Sequence, residues 1–269
     1  MTTRVLRQWE WACPPAPVTR EVLQARPETD ESRPPVLFVP GYGQGAWVYA
    51  EHWLEHTARR GFPAYAMSLR GHGASGRAPR PGLAAYAHDV VQVAAGLPRR
   101  AVLVGHGAGA LVVARALARY PARAGVLVAP VFGGVRAAAL AALRNPAGTV
   151  PALFGAPLRP RRGQLFSRTL PASAARGYLA RFGRAGRLAQ LQLLAPGTPE
   201  SPAGDPPVLV LGTPDDTVVP RPALVRAARR YGGAPLLFPG MGHAMMLDAR
   251  WVEPLDAILD WLTKQPTDR

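Results

Sequence analysis

Residues 101–109 read Ala101-Val102-Leu103-Val104-Gly105-His106-Gly107-Ala108-Gly109, and the stretch that follows to Tyr120 is rich in Ala, Leu and Val. A short, wholly apolar run bounded by glycine is the mark of a buried strand, and the segment 108–120 has helical composition. Three alternating glycines sit where the two would meet. Without Cβ atoms they let a chain turn from strand to helix in a space that side chains would fill. A G-x-G-x-G run also suggests a nucleotide loop, but the dinucleotide spacing and the acidic residue about 20 positions later are missing.

Outward from this turn the same alternation repeats. Val36-Leu37-Phe38-Val39 is a buried strand that enters the loop Pro40-Gly41-Tyr42-Gly43, and helical spacing follows from Trp47 to Arg60. A third strand over Pro63 to Leu69 ends in Arg70-Gly71-His72-Gly73-Ala74-Ser75-Gly76, and a helix covers Leu83 to Gly96. Later come a strand over Gly125 to Ala129, a strand over Val208 to Leu211, a helix over 221–231, a strand over Pro235 to Phe238 and a helix over Val252 to Leu262. Val5 to Trp11 and Val18 to Ala25 are expected as opening strands around Pro14-Pro15-Ala16-Pro17. The alternation predicts an α/β protein with a mainly parallel central sheet and helices on both faces.

Between Val131 and about Asp205 the strand signals stop. Leu140, Leu143, Leu153, Phe154, Leu165, Phe166, Leu170, Tyr178, Leu179, Phe182, Leu188, Leu191 and Leu194 recur at helical spacings, broken by Pro146, Pro151, Pro157, Pro160 and Pro171. This predicts an inserted cap of short helices over 131–205, with 1–130 and 206–269 as the core and Pro199 to Pro207 as the exit linker.

A chain of 269 residues that is 48% hydrophobic can bury one full core. No run approaches the roughly 20 apolar residues of a membrane span, and the first residues lack a signal-peptide apolar region, so a cytoplasmic protein without a transmembrane segment is expected. Cys13 is the only cysteine, which leaves no intrachain disulfide and no cysteine-based metal cluster; neither a metal site nor a cofactor is implied. The net charge of +15 is almost all arginine, Lys264 being the only lysine. Compositional bias explains arginine in place of lysine, but no Asp or Glu lies between Asp89 and Glu200, while arginines recur throughout that span. The charge fits an acidic substrate, an acidic carrier protein or a membrane surface; no recognition fold or aromatic-interleaved basic motif supports nucleic acid.

Four motifs together carry a resemblance: Val39-Pro40-Gly41-Tyr42-Gly43, Ser68-Leu69-Arg70-Gly71-His72-Gly73-Ala74-Ser75, Gly105-His106-Gly107-Ala108-Gly109, and the pair Gly212-Thr213-Pro214-Asp215-Asp216-Thr217-Val218-Val219-Pro220 with Gly240-Met241-Gly242-His243. In this order, over about residues 35–262, the chain resembles the α/β-hydrolase superfamily, and within it the small lipase- and lysophospholipase-like esterases with a helical cap. The family carries G-x-S-x-G at the turn, with its serine as nucleophile; this chain has Gly107.

The resemblance implies His243 as general base, Asp216 as the acid that orients it, and the backbone N–H groups of Tyr42 and Ala108 as an oxyanion hole. Asp215 is the alternative acid; Asp216 is preferred because the family places the acid four residues before the proline that is here Pro220. His72 and Ser75 are expected to hold loop structure, His106 to pack behind the turn and Asp89 to pair locally. Pro40 and Ser68 stand where many members have histidine and aspartate. Ser68 and Ser75 stay open as hydroxyls facing the pocket.

Three readings of function follow for a small-molecule substrate. His243 acts as a general base in hydrolysis, elimination or cyclisation without a covalent intermediate, with Arg159, Arg161 and Arg162 of the cap holding an anionic or carrier-linked substrate. Alternatively the old pocket only binds, or the chain is a serine esterase inactivated by Ser→Gly at 107.

Overall fold

The computed structural model describes residues 14–28, 32–154, 156, 159–184, 186–195 and 200–265. The expected strand over Val5 to Trp11 lies outside them. Among the described residues seven strands form one sheet in the order β1-β3-β2-β4-β5-β6-β7. They are β1 Val22–Ala25, β2 Val36–Val39, β3 Ala64–Met67, β4 Val102–His106, β5 Ala124–Val128, β6 Val208–Gly212 and β7 Leu236–Leu237. Of these seven only β1 runs antiparallel, pairing Val22 with Met67 and Ala25 with Ala64. Strands β2 to β5 are buried along their whole length, as their largely apolar sequences require of a sheet covered on both faces.

The covering helices sort by face. On one side α1 (Trp47–Ala50), α2 (Trp53–Arg59) and α11 (Val252–Thr263) pack with Phe38, Val104 and Val126. On the other, α3 (Leu83–Ala95), α4 (Ala108–Leu117) and α10 (Arg221–Arg230) pack with Leu37, Leu103 and Leu127. Alternate residues of β2, β4 and β5 thus go to opposite cores, as the two-residue strand period dictates. Between β5 and β6 the chain leaves the sheet and builds α5 (Val135–Arg144), α6 (Pro146–Leu153), α7 (Arg162–Leu165), α8 (Ala172–Ala180) and α9 (Arg187–Gln192).

Three expectations are corrected. The single helix over Trp47 to Arg60 is two, because His52 leaves helical geometry at φ −146° and ψ −53°. There its ring stacks on Trp251, with centroids 4.8 Å apart, while the Trp53 indole N–H donates to the Trp251 carbonyl at 3.1 Å. A tertiary contact overrides the local propensity. The strand expected over Val18 to Ala25 is extended in the sheet only at Val22–Ala25. Asp89 does not pair locally: it is fully buried and takes two hydrogen bonds from the Arg70 guanidinium, at 2.8 and 2.6 Å, and one from Arg20 at 2.9 Å.

Arg70 is 1% exposed, so the forked pair lies in the interior and fixes the loop after β3 to α3. Removing one partner of such a pair leaves the other charge buried and uncompensated, which costs about 3–5 kcal/mol. The Asp89→Ala variant should therefore lose about 3–5 kcal/mol of unfolding free energy in urea denaturation; an unchanged midpoint would show the pair to be idle.

Candidate functional site

Strand β4 turns into α4 at Gly107, whose φ of 56° and ψ of −120° lie in a region that side chains disfavour. The turn is held from both sides: the Gly107 N–H donates to the Val128 carbonyl at 2.9 Å, and its carbonyl accepts from Val131 N–H at 2.9 Å. The flanking glycines are needed for space. A Cβ on Gly105 would sit 2.6 Å from the Gly109 carbonyl oxygen, and one on Gly109 would overlap Pro40 of the loop after β2.

A Cβ at Gly107 would meet His243 alone, 3.3 Å from Nε2. The residue at position 107 therefore aims its side-chain direction at the imidazole. His243 Nδ1 lies 2.7 Å from Asp216 Oδ2, and both side chains are buried. A carboxylate only accepts, so Nδ1 carries a proton, and in the neutral ring the Nε2 lone pair faces Gly107. Asp216 Oδ1 accepts the N–H groups of Val218 and Val219 at 2.7 and 2.9 Å. Burial by itself would raise the Asp216 pKa, but the charge and hydrogen bond of His243 and the two backbone donors hold it below the usual carboxylate range. Asp215 is the turn former: its carboxylate accepts Gly240 N–H at 2.7 Å at an exposed position.

Ala108 opens α4, so its N–H has no acceptor within the helix. Ala108 and Tyr42 line the same cavity as Gly107 and His243. The Tyr42 phenol is buried, without a hydrogen-bond partner among the described residues. Burial first, then Tyr86, pushes its pKa up against the opposing Arg115, so it stays neutral.

The cavity holds about 230 Å³ and is lined chiefly by apolar groups, among them Val131, Ala137, Ala138, Leu140, Ala141, Leu165, Phe182, Leu193 and Val218. Helices α5 and α6 supply much of its roof. Arg159, Arg161 and Arg162 are not among its lining residues. All three are exposed; the Arg161 guanidinium donates to the Arg144 carbonyl at 3.2 Å and that of Arg162 to the Leu170 carbonyl at 2.7 Å. They lie outside the lining that Gly107 and His243 share, so the structure does not bring them to the same cavity.

Ser68 and Ser75 also stay out of the cavity lining. Ser68 Oγ accepts Ala46 N–H at 2.7 Å and donates to Glu21, whose carboxylate accepts Ala74 N–H at 3.0 Å. Ser75 Oγ donates to the Ser68 carbonyl at 2.7 Å and accepts Glu21 N–H at 2.9 Å. Serine and Glu21 together thus hold the loop at the position where many family members have aspartate.

Asp248 carries no motif signal, yet it stitches the His243 loop to the helices inserted between β5 and β6. It is 1% exposed and accepts Gly242 N–H at 3.0 Å, Ser167 N–H at 3.0 Å and the Ser167 hydroxyl at 2.9 Å. Gln44 escaped notice in the same way; its side chain accepts Gly41 N–H at 3.0 Å and fixes the loop that carries Tyr42. Among the described residues no group of three or more His, Cys, Asp or Glu gathers as metal ligands would.

His106 packs behind the turn, its ring centroid 4.7 Å from that of His243, and its Nε2 donates to the His243 carbonyl at 3.0 Å. Burial, aided by His243, pushes its pKa down to about 3. The folded state keeps this ring neutral, whereas the unfolded state takes up a proton below about pH 6.5. Its contribution is therefore intact above about pH 6.5 and is lost progressively as pH falls towards about 3, at up to about 1.4 kcal/mol per pH unit. Denaturant titrations between pH 6.5 and 4 should show a shallower loss for His106→Gln than for the parent; parallel curves would refute this.

A comparison with curated protein sequences gives no match. Among solved structures, a monoacylglycerol lipase from Paleococcus ferrophilus is similar at 21% identity and TM-score 0.69, over 92% of this chain and 98% of that one. An esterase from Rhodococcus sp. ECU1013 gives 22% identity and TM-score 0.68 over 92% and 95%, and monoglyceride lipase from Saccharomyces cerevisiae 14% and 0.70 over 93% and 92%. At these identities the likeness shows the fold: an α/β-hydrolase sheet with its helices. The model of the alpha/beta hydrolase family matches residues 36–255. With most of its length inside that match, and with the turn, loops and sheet order described above, the chain belongs to the alpha/beta hydrolase family.

Proposed function

We propose that the site hydrolyses a small ester whose enclosed part is apolar and uncharged, using His243 as a general base on water without a covalent intermediate. The observation that carries the reading is the 3.3 Å between His243 Nε2 and a Cβ built on Gly107. The direction in which family members hold the serine hydroxyl is open in this chain and faces a lone pair. In the proposed reaction a water hydrogen-bonds to Nε2 in that space and its oxygen attacks the ester carbonyl carbon. The proton passes to Nε2, and the Nδ1–H bond to Asp216 steadies the imidazolium. The carbonyl oxygen becomes an oxyanion facing the N–H groups of Tyr42 and Ala108. As the carbon–oxygen bond to the leaving group breaks, Nε2–H returns the proton to the departing alkoxide.

The apolar lining supports an uncharged enclosed group. A carboxylate or phosphate there would lose its hydration with no arginine in the lining to replace it. A carrier-linked or otherwise anionic portion of a substrate would have to lie outside. The inactivated serine esterase is a second reading, favoured by the retained turn geometry at φ 56° and ψ −120°.

Two variants test both. The His243→Ala variant should lower hydrolysis of short-chain aryl esters by about 10²–10⁴-fold, the worth of a positioned general base; an undiminished rate would remove the base from the mechanism. Gly107→Ser should become labelled by a serine-directed phosphonate and lose about 1–3 kcal/mol of stability through its left-handed backbone. A parent with no hydrolysis above background, beside a labelled and active serine variant, would overturn the water mechanism in favour of the inactivated esterase.

A further inference from the structure

The helices that roof the cavity are apolar on two sides. Ala137, Ala138, Leu140 and Ala141 of α5 and Ala152 of α6 line the cavity. The opposite side carries Val135 and Leu143, exposed at 68% and 80%, with Val150 and Phe154 exposed at 42% and 73%. Val135 and Leu143 lie two turns apart on α5, with exposed Ala139 midway, and Val150 and Phe154 are one turn apart at the end of α6. Each helix thus shows one apolar stripe outward. Six of the nine large apolar side chains exposed among the described residues lie between Val135 and Leu191. Isolated exposed leucines need no explanation, but apolar stripes on two consecutive, contacting helices mark a surface that a membrane or a partner covers.

The charge beside the stripes decides between the two. No Asp or Glu occurs between Asp89 and Glu200. Exposed Arg144, Arg159 and Arg161 gather where α5 passes into α6. The Arg161 guanidinium bonds to the Arg144 carbonyl at 3.2 Å, and the Arg159 carbonyl accepts from the Asn145 side chain at 2.8 Å. Exposed Leu, Phe and Val flanked by arginine, with no acidic counterpart, is the composition of an interfacial helix on an anionic bilayer. A second copy would bring the same arginines against these, and a chain of net charge +15 gains nothing from that contact.

We propose that the outer face of α5 and α6 docks this protein on the surface of a lipid bilayer bearing anionic headgroups. Leu143 and Phe154 enter the headgroup–acyl boundary, and Arg144, Arg159 and Arg161 meet the headgroups. The cavity roof then lies against the membrane. The inference rests on the outer surface alone and stands whichever reaction occurs beneath it.

The test is co-sedimentation of the full chain with phosphatidylcholine vesicles, plain or containing about one third phosphatidylglycerol. The protein should bind the anionic vesicles at low salt, and binding should weaken as salt rises. The Leu143→Glu/Phe154→Glu double variant should bind at least about 10-fold more weakly, and Arg144→Gln/Arg159→Gln/Arg161→Gln roughly 10–100-fold more weakly on anionic vesicles only. These side chains are exposed, so both variants should melt with the parent. Failure of the parent to bind at low salt would overturn the proposal, as would undiminished binding by the Leu143/Phe154 variant, which would place adsorption elsewhere. A parent that dimerises by light scattering, ignores vesicles and becomes monomeric on the Leu143/Phe154 change would assign the face to a second copy and overturn it equally.

Discussion

The close approach of β4 and α4 at Gly107 is the constraint on which the rest of the site depends. Strand and helix meet with no intervening loop, so Gly105 and Gly109 must lack side chains, and the loop after β2 presses on Gly109. That compression brings three things together: the N–H at the start of α4, the loop bearing Tyr42, and a side-chain direction at 107 that leads to His243. None is a separate invention. Once β2 and β4 pair in register, with Phe38 opposite Val104 and Val39 opposite Gly105, the loop and the turn have nowhere else to go. The chemistry is thus a property of backbone packing first and of side chains second, and the backbone donors do not need a side chain at 107.

The helices inserted between β5 and β6 are tied to the same loops. Ala244 N–H donates to the Leu165 carbonyl at 2.8 Å, Gly183 N–H to the Gly43 carbonyl at 2.8 Å, and Gly134 N–H to the Leu193 carbonyl at 2.8 Å. Asp248 adds its three bonds between the His243 loop and Ser167. The base loop, the Tyr42 loop and the exit from β5 are each hydrogen-bonded to an inserted segment. The roof and the loops that surround the cavity are therefore tied into one hydrogen-bonded framework.

Much of this was legible in the sequence, for physical reasons that differ by element. Four-residue apolar runs such as Val36–Val39 announce themselves because a strand buried on both faces tolerates no polar residue. The turn at 105–109 is legible because steric exclusion leaves glycine as the only solution at Gly105 and Gly109. What escaped depends on partners distant in the chain. The break at His52 is set by Trp251, the role of Asp89 by Arg70 and Arg20, and the stitching by Asp248 through Ser167. The placement of Arg159, Arg161 and Arg162 was illegible for another reason: composition gives their number, but whether a guanidinium faces a cavity or a neighbouring carbonyl is decided by the turn of short helices. Arg162, bonded to the Leu170 carbonyl, illustrates it.

Under the proposed reading, glycine at 107 shifts the balance of energies as well as lacking the family's hydroxyl. A residue with a side chain held at φ 56° and ψ −120° stores roughly 1–3 kcal/mol of strain, which glycine largely releases. Against that, a water taking the place of a tethered hydroxyl loses up to about 2 kcal/mol of entropy on being held. The two terms are of similar size, so exchanging a covalent nucleophile for water need not cost the fold or the bound state much. The larger difference lies in the transition state, where each 1.4 kcal/mol is about a factor of ten in rate. In the proposed reaction, what remains to lower the barrier is electrostatic: His243 held by Asp216, and the backbone donors at Tyr42 and Ala108. Because those groups are fixed by the packing of β2, β4 and α4, the proposed chemistry draws on the part of the site that a substitution at 107 disturbs least.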